Sequence, residues 1–428
     1  MNTYKVRPLK LDKNFDIEVP GSKSITNRAL LLAAMGAGSC KLSGVLFSDD
    51  SRAFLGCLKE LGFNLNINEP AKEVIIEGTC GKIPNTKATI NVGSAGTAAR
   101  FLTVFLAFAG GDYTLNASAQ MCKRPMEPLL TTLRESGVKI TCLNEEGHFP
   151  FTLQSNGINT DTMHSNTDTS SQFASAMLMS ATLLPNGLNV VLEGGRTNGA
   201  YINITLNMMK QFGILFTRVN NTISVQGGAS IDLSYYEIEP DVSAAGYFYA
   251  LCPMYHRTIR VKGVHLNSMQ GDIKFIKLLT NLGCNLEDTD YGIRLTPPEL
   301  PIYQGIEVNM NDYSDQTMTM AVIAALADTP TTIHGIEHIR HQESDRLMAI
   351  ITELNRLGIT AKEIDGGDGI YIIPGPMHSA QIETYEDHRI AMAFTLIGFK
   401  IPNVEILNPM CCAKTFENYY QVIDSISL

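Results

Sequence analysis

What the sequence lacks narrows its class before any motif is read. No apolar run approaches the roughly 18 residues of a membrane span. The stretch from Met1 to Val19 alternates charged and apolar residues and has no apolar core of the signal-peptide kind. Basic residues are the minority, 33 Lys and Arg against 43 Asp and Glu, and the net charge is −10. That balance argues against a general nucleic-acid binder, which needs a basic excess to neutralise phosphates, and against a polybasic membrane anchor. The nine cysteines are an odd count with no CxxC pair; Cys411 and Cys412 are neighbours and Cys122 stands alone. Such usage suits reduced thiols in a cytoplasm, not a disulfide framework or a zinc site. What remains is a chain of 428 residues, 44% hydrophobic and 18% charged, the composition of a soluble globular protein. At roughly 150 residues per domain, two or three domains are expected.

A repeat runs the length of the chain. Six segments share one plan, a polar cluster followed by apolar and small residues, then a turn and a short β-rich run. They begin at Ser22, Gly96, Ser170, Val242, Asp315 and Asp387. Anchored at Arg28, Arg100, Ala174, Gly246, Thr319 and Ala391, they recur at intervals of 72, 74, 72, 73 and 72 residues. Each body is too apolar all round for a surface helix, which predicts six buried helices. A second phase agrees: helical segments end at Gly62, Gly137, Gly213, Gly283 and Gly358, each followed by an alternating strand. Each unit therefore reads as two strands and two helices, one helix buried and one outer. A solenoid is one arrangement, but two clusters of three units bury such apolar helices better. Boundaries are expected near Pro20 and Pro240, giving one domain over 21–240 and a second from 1–20 with 241–428.

The chemistry is expected at the helix starts, where backbone N–H groups are unpaired and the macrodipole is positive. Ser170 and Asp315 fit ordinary N-caps. Cations there have the wrong sign, at a cost of about 0.3–1 kcal/mol each when exposed. Yet Lys23 and Arg28 lie in the first segment, Arg100 follows GSAGT, and His388 and Arg389 open the sixth. An anion between cation and helix end makes sense of this, and phosphate and carboxylate bind such sites best. The bland alternative is that long basic side chains reach past the helix ends to solvent. Lys123, Arg124, Arg340, Arg346 and Lys414 add loop cations, and the glycines of GSAGTAAR suit close backbone approach to a phosphate. Asp315 and Glu343 lie among these cations as a candidate acid/base pair, with helix capping and a first-turn acid as their bland alternatives.

PGSKSITNRALLLAA, FSDDSRAF, GSAGTAARFL, KRPMEPLL, SSQFASAML, NSMQGD, QESDRL, DHRIAMAF and CAKTF follow one another from residue 20 to residue 416. Together they resemble the 5-enolpyruvylshikimate-3-phosphate synthase family, the 3-phosphoshikimate 1-carboxyvinyltransferases, over almost the whole chain. The resemblance implies an α/β fold of two inside-out domains, each three βαβαββ units with buried parallel helices, and an active site in the cleft between them. It implies transfer of an enolpyruvyl group from phosphoenolpyruvate to the 5-hydroxyl of shikimate 3-phosphate, in the shikimate pathway. Lys23, Ser24, Arg28, Ser170, Ser171, Gln172, Asp315 and Gln342 match the shikimate 3-phosphate site. Lys23, Gly96, Arg124, Gln172, Arg346, Arg389 and Lys414 match the phosphoenolpyruvate site. Asp315, Glu343 and Lys23 match the catalytic residues, Asp315 taking the 5-hydroxyl proton and Glu343 protonating the methylene carbon. No metal or organic cofactor, no nucleic acid and no membrane is implied, and a cytoplasmic monomer is expected.

The chain departs from the family pattern at four polar positions. Gln342 stands where the family has a substrate-contacting lysine, Ser94 where Asn precedes Ala-Gly-Thr, His338 where Asn is common, and Asn198 where a serine contact falls. These departures leave open a diverged acceptor or a non-catalytic anion-binding homologue. A related family, the UDP-N-acetylglucosamine enolpyruvyl transferases, uses a loop cysteine, and Cys122 lies in the corresponding loop. That family's cysteine sits several residues before its Arg-Pro, and its N-terminal lysine is followed by Asn, so Cys122 reads as a small loop residue.

Overall fold

The six apolar segments form helices at Lys23–Met35, Gly96–Ala109, Ser171–Ser180, Val242–Tyr249, Thr317–Ala324 and His388–Thr395 in a computed structural model that describes residues 3–228 and 231–428. A helix with no polar face must be covered on every side, and these are: all of Thr317–Ala324 is buried, as is Gly96–Ala109 except its last residue. The last three are eight residues each and shorter than their apolar runs. In the fourth the run breaks at Ala250 and resumes as Leu251–Tyr255. Pro253 there has no N–H to donate to Tyr249 one turn back.

Around these helices the described residues form six sheets, five of them four-stranded with one strand order and the sixth three-stranded. In the second unit Lys87–Asn91 runs parallel to Gly111–Asn116, on either side of a buried helix. The outer helix Glu127–Glu135 follows, then the hairpin Lys139–Cys142 and Phe151–Ser155, whose second strand pairs antiparallel with Gly111–Asn116. The unit is therefore βαβαββ, and the α/β architecture is the expected one. The sheets centred on Leu188–Glu193, Thr258–Val261 and Thr331–His334 repeat it. The glycines after the outer helices, Gly62, Gly137, Gly213, Gly283 and Gly358, sit at φ between 78° and 95°, the left-handed cap that lets each helix turn into its strand.

The chain divides into two compact units, Gly21–Glu239 and Met1–Pro20 with Pro240–Leu428. In the first, Tyr235–Glu237 returns to lie parallel to Ala37–Ser43 as the edge strand of the opening sheet. In the second, Asn14–Ile17 lies parallel to Thr258–Val261. Thr3–Lys5 pairs antiparallel with Glu405–Leu407, where the other units place their own hairpin. Gly398 permits this docking, because a Cβ there would come 2.4 Å from Val6 Cβ. Among the described residues no helix is long and apolar enough to cross a membrane.

Candidate active site

In the Gly21–Glu239 unit three cross-links bring the starts of the buried helices to one end. Asn27 Nδ2 donates to Thr97 Oγ1, Arg28 Nη2 donates to Ser175 Oγ at 3.2 Å, and the Arg100 guanidinium lies 6.0 Å from the Phe173 ring. Parallel helices follow, since each link joins the first or second turn of one to that of another. Lys23 is the first residue of its helix, half-buried, with Nζ 3.6 Å from Asp50 Oδ2. Asp50 is buried in the first turn of Asp49–Glu60, where an acid suits the positive helix end.

Arg28 is fully buried and tied into three elements. Nε donates to Thr205 Oγ1 at 2.8 Å, Nη1 to the Ser24 carbonyl at 2.9 Å and Nη2 also to the Tyr201 carbonyl at 3.3 Å. Burial pushes its pKa down to about 10. The guanidinium ties its own helix to Ser171–Ser180 and Ala200–Gln211. Gly96 opens the second helix, and a Cβ there would come 2.7 Å from Arg100 Nη1 and 2.8 Å from Arg124 Nη1. The glycine thus makes room for two guanidinium groups at one helix start, a reason more specific than phosphate approach. Ser170 is the expected N-cap, its Oγ accepting from Gln172 N at 3.2 Å, and Ser171 and Gln172 form the half-buried first turn.

The departures from the family pattern have structural partners here. Ser94 Oγ lies 2.7 Å from Ser118 Oγ, and Ser118 caps the short helix Ala119–Cys122 that leads to Arg124. Asn198 Oδ1 accepts from Arg218 Nη1 at 3.3 Å, which places its amide on an arginine of the strand Phe216–Val219. Cys122 Sγ reaches the Ala117 carbonyl at 3.8 Å, as a small loop residue does.

In the other unit cations and carboxylates alternate. Lys414 Nζ lies 3.9 Å from Glu343 Oε1, and Glu343 Oε2 lies 2.7 Å from Arg346 Nη2. Arg346 Nη1 lies 2.9 Å from Asp315 Oδ1, and Asp315 Oδ2 lies 2.9 Å from Arg389 Nη2. Beneath the row, Asp387 Oδ2 accepts from Arg346 Nε at 2.7 Å and from Ser344 Oγ at 3.0 Å. Lys414, Glu343, Asp315 and Arg389 keep side-chain exposures of 10–12%, whereas Arg346 and Asp387 have 1% and 0%. Burial alone would lower the Arg346 pKa, but Asp387, Glu343 and Asp315 outweigh it and raise the value. Arg346 and Arg389 stand in the first turns of Arg346–Arg356 and His388–Thr395, and the acids offset the unfavourable helix dipoles.

Several expectations are corrected. Asp315 is no helix cap: it lies in the 3₁₀ segment Asn311–Gln316, kinked at Tyr313, and its carboxylate turns to the two arginines. Glu343 is no first-turn acid, because the helix begins at Arg346 with Asp345 as its cap. Arg340 does not join the row; Asp345 and Glu363 hold it at 3.3 and 2.7 Å. Gln342 Oε1 accepts from Arg346 Nη1 at 2.9 Å, and His338 Nε2 lies 2.8 Å from Ser314 Oγ, beside Asp315. Sequence reasoning missed Asp387, Asp50 and Asp272. Asp272 is buried against Ser243, and burial, with the Asp315 charge adding, pushes its pKa up to about 7. An acid at a helix start is ordinary, so only the buried arginine or lysine facing it marks such a residue.

Units of three βαβαββ repeats with charged clusters at the starts of their buried helices define the enolpyruvyl transferase class. The chain belongs to the EPSP synthase (3-phosphoshikimate 1-carboxyvinyltransferase) family, whose family model matches residues 11–423. It is therefore an enzyme, a transferase. The 3-phosphoshikimate 1-carboxyvinyltransferase of Nostoc punctiforme is 38% identical over 421 residues, 98% of each chain. That of a Marinomonas species is 37% identical over 430 residues, the whole of both. Among solved structures, EPSP synthase from Acinetobacter baumannii matches with a TM-score of 0.84 at 22% identity, covering 100% of this chain and 99% of that one. The enolpyruvyl transferase NikO from Streptomyces tendae matches at 0.74 and 14%, covering 99% and 96%. At these identities the structures speak for the fold.

Proposed function

We infer that this enzyme transfers the carboxyvinyl group of phosphoenolpyruvate to the 5-hydroxyl of shikimate 3-phosphate, releasing phosphate, in the shikimate pathway to chorismate and the aromatic amino acids. Family membership supports the reaction, and one observation supports the assignment of roles. It is the row Lys414, Glu343, Arg346, Asp315, Arg389, in which two carboxylates at the accessible edge are each held between two cations.

Asp315 takes the proton of the attacking 5-hydroxyl, and Glu343 delivers one to the methylene carbon of phosphoenolpyruvate. The oxygen then bonds to the central carbon, giving a tetrahedral ketal. Loss of a proton from the methyl group and departure of phosphate restore the double bond on the new ether. Arg124, Arg346, Arg389 and Lys414 hold the carboxylate and phosphate of phosphoenolpyruvate, with Lys23, Gln172 and the Gly96 backbone. Lys23, Ser24, Arg28, Ser170, Ser171, Gln172 and Gln342 hold shikimate 3-phosphate. A positioned acid or base contributes about 10²–10⁴-fold, and fixed cations stabilise the developing charge without reorganising. Protonation makes the electrophile, so the reaction calls for no metal or organic cofactor. The enzyme is read as a cytoplasmic monomer acting on two small anions.

The test is the product. Incubation with both substrates should give shikimate 3-phosphate bearing a carboxyvinyl ether, by mass and proton spectra, with one phosphate per ether. No ether at millimolar concentrations of each substrate sinks the reading.

A further inference from the structure

One feature that the reaction does not use lies three residues before Lys414. Cys411 and Cys412 are adjacent in the 3₁₀ segment Pro409–Lys414, Cys411 half-buried and Cys412 buried. The segment packs on the helix His388–Thr395. Backbone bonds shape it: Cys411 N donates to the Asn408 carbonyl at 3.2 Å, and the Cys412 carbonyl accepts from Thr415 N at 3.0 Å and Phe416 N at 2.8 Å. The backbone N–H of Cys411 and the carbonyl of Cys412 thus help to shape the turn on which Lys414 is carried.

We propose that Cys411 and Cys412 together form a binding site for a thiophilic trivalent organoarsenical, and that its occupation disengages Lys414 from Glu343. The geometry suits this ligand class. Adjacent Cα atoms lie about 3.8 Å apart, too close for an unstrained disulfide, whose Cα atoms are usually 4.4–6.8 Å apart. A bridging arsenic atom relieves that limit by spacing the sulfurs. Arsenic carrying one organic group needs two sulfurs from the protein. Among the described residues no group of three or more metal-ligating side chains gathers, so a metal demanding a fuller set is not matched. Soft thiolates select soft acceptors. Cys411 is the entry point, because it is the more accessible of the two, and the neighbouring Cys412 thiol lowers its pKa. The balance is simple: an aryl arsenoxide and two thiols give a dithioarsenite and one water, with no change of oxidation state. The aryl group on a bridging arsenic needs room beside the buried Cys412 sulfur, so the turn bearing Lys414 must shift to give it.

Binding is independent of the proposed reaction; only the activity readout below rests on it. The probe is phenylarsine oxide on the whole protein, with intact mass and peptide mapping. One adduct per chain should map to residues 411–412, persist in excess monothiol and leave with a dithiol. Cys411→Ser and Cys412→Ser should each abolish it while keeping basal turnover. In the adduct, acetylation of Lys414 by acetic anhydride should rise several-fold and phosphate release should fall at least tenfold, both reversed by the dithiol. An adduct that maps elsewhere, survives in either serine variant, or washes out with monothiol overturns the site. An adduct at 411–412 that leaves Lys414 acetylation unchanged overturns its coupling to Lys414. Should the protein show no turnover at all, the acetylation arm still decides.

Discussion

Arg346 and Asp387 form a fully buried pair, Nε to Oδ2 at 2.7 Å, with side-chain exposures of 1% and 0%. Asp387 also caps its helix by accepting from Arg389 N at 2.9 Å, so one carboxylate orients both arginines that grip Asp315. Removing one partner of a buried pair costs about 3–5 kcal/mol; without Asp387 the buried Arg346 Nε loses its acceptor, and Lys414, Arg346 and Arg389 face only Glu343 and Asp315. Asp387→Ala is therefore expected to lose roughly that much stability in urea unfolding. A loss under about 1 kcal/mol would mean that the pair is solvated in solution.

At Gly96 the constraint is steric rather than electrostatic. A methyl group there meets two guanidinium ends, which are flexible and can move aside. Gly96→Ala should fold with nearly unchanged stability while Arg124 is displaced. Since misplacing a binding group by about 1 Å can cost on the order of 10²-fold, the KM for phosphoenolpyruvate should rise tenfold or more. An unchanged KM would place Arg124 outside that site.

Gly398 tests how the N-terminal segment is held. Its position against Val6 leaves no room for a methyl group, and Val6 Cβ is not a yielding side-chain tip. Gly398→Ala should destabilise by about 1–3 kcal/mol through overpacking. Limited proteolysis should then cut first between residues 6 and 14. Wild-type stability in the variant would contradict the docking.

Asp272 supplies a pH dependence whose sign is fixed. Its pKa is about 7 in the fold against an ordinary 3.8, through burial first and the Asp315 charge second, opposed by Arg389 and the Ser243 hydroxyl. Asp241 also raises it. A carboxyl kept neutral by the fold retains a proton that the unfolded chain has released. Its stabilising contribution is complete below about pH 4 and is lost as the pH rises through 7. Asp272→Asn removes that titration, so the thermal midpoint of the variant relative to wild type should rise between pH 4.5 and 8. A constant difference across the range would contradict the shift.

How much of this was legible in the residues differs by feature. The buried helices were, because a run such as GTAARFLTVFLAF has no polar face to give to solvent. The strands Tyr235–Glu237, Glu307–Asn309 and Gln381–Ile382 were not, being two or three residues long, too short for alternation to register. Nor was Ala37–Ser43, which has no β-branched residue and is a strand through its pairing with Glu73–Thr79. Cations at helix starts stood out through their wrong sign. Their partners did not: Asp387 and Asp50 look like ordinary helix-start acids, while Asp315 looked like a cap and turned out to face arginines.

The most direct test of the central claim is phosphate release from wild type and Asp315→Asn, each with phosphoenolpyruvate alone and with both substrates. Wild type should release phosphate only when both substrates are present, and Asp315→Asn should lose about 10²–10⁴-fold. Release from phosphoenolpyruvate alone, or an Asp315→Asn variant as fast as wild type, would contradict the claim.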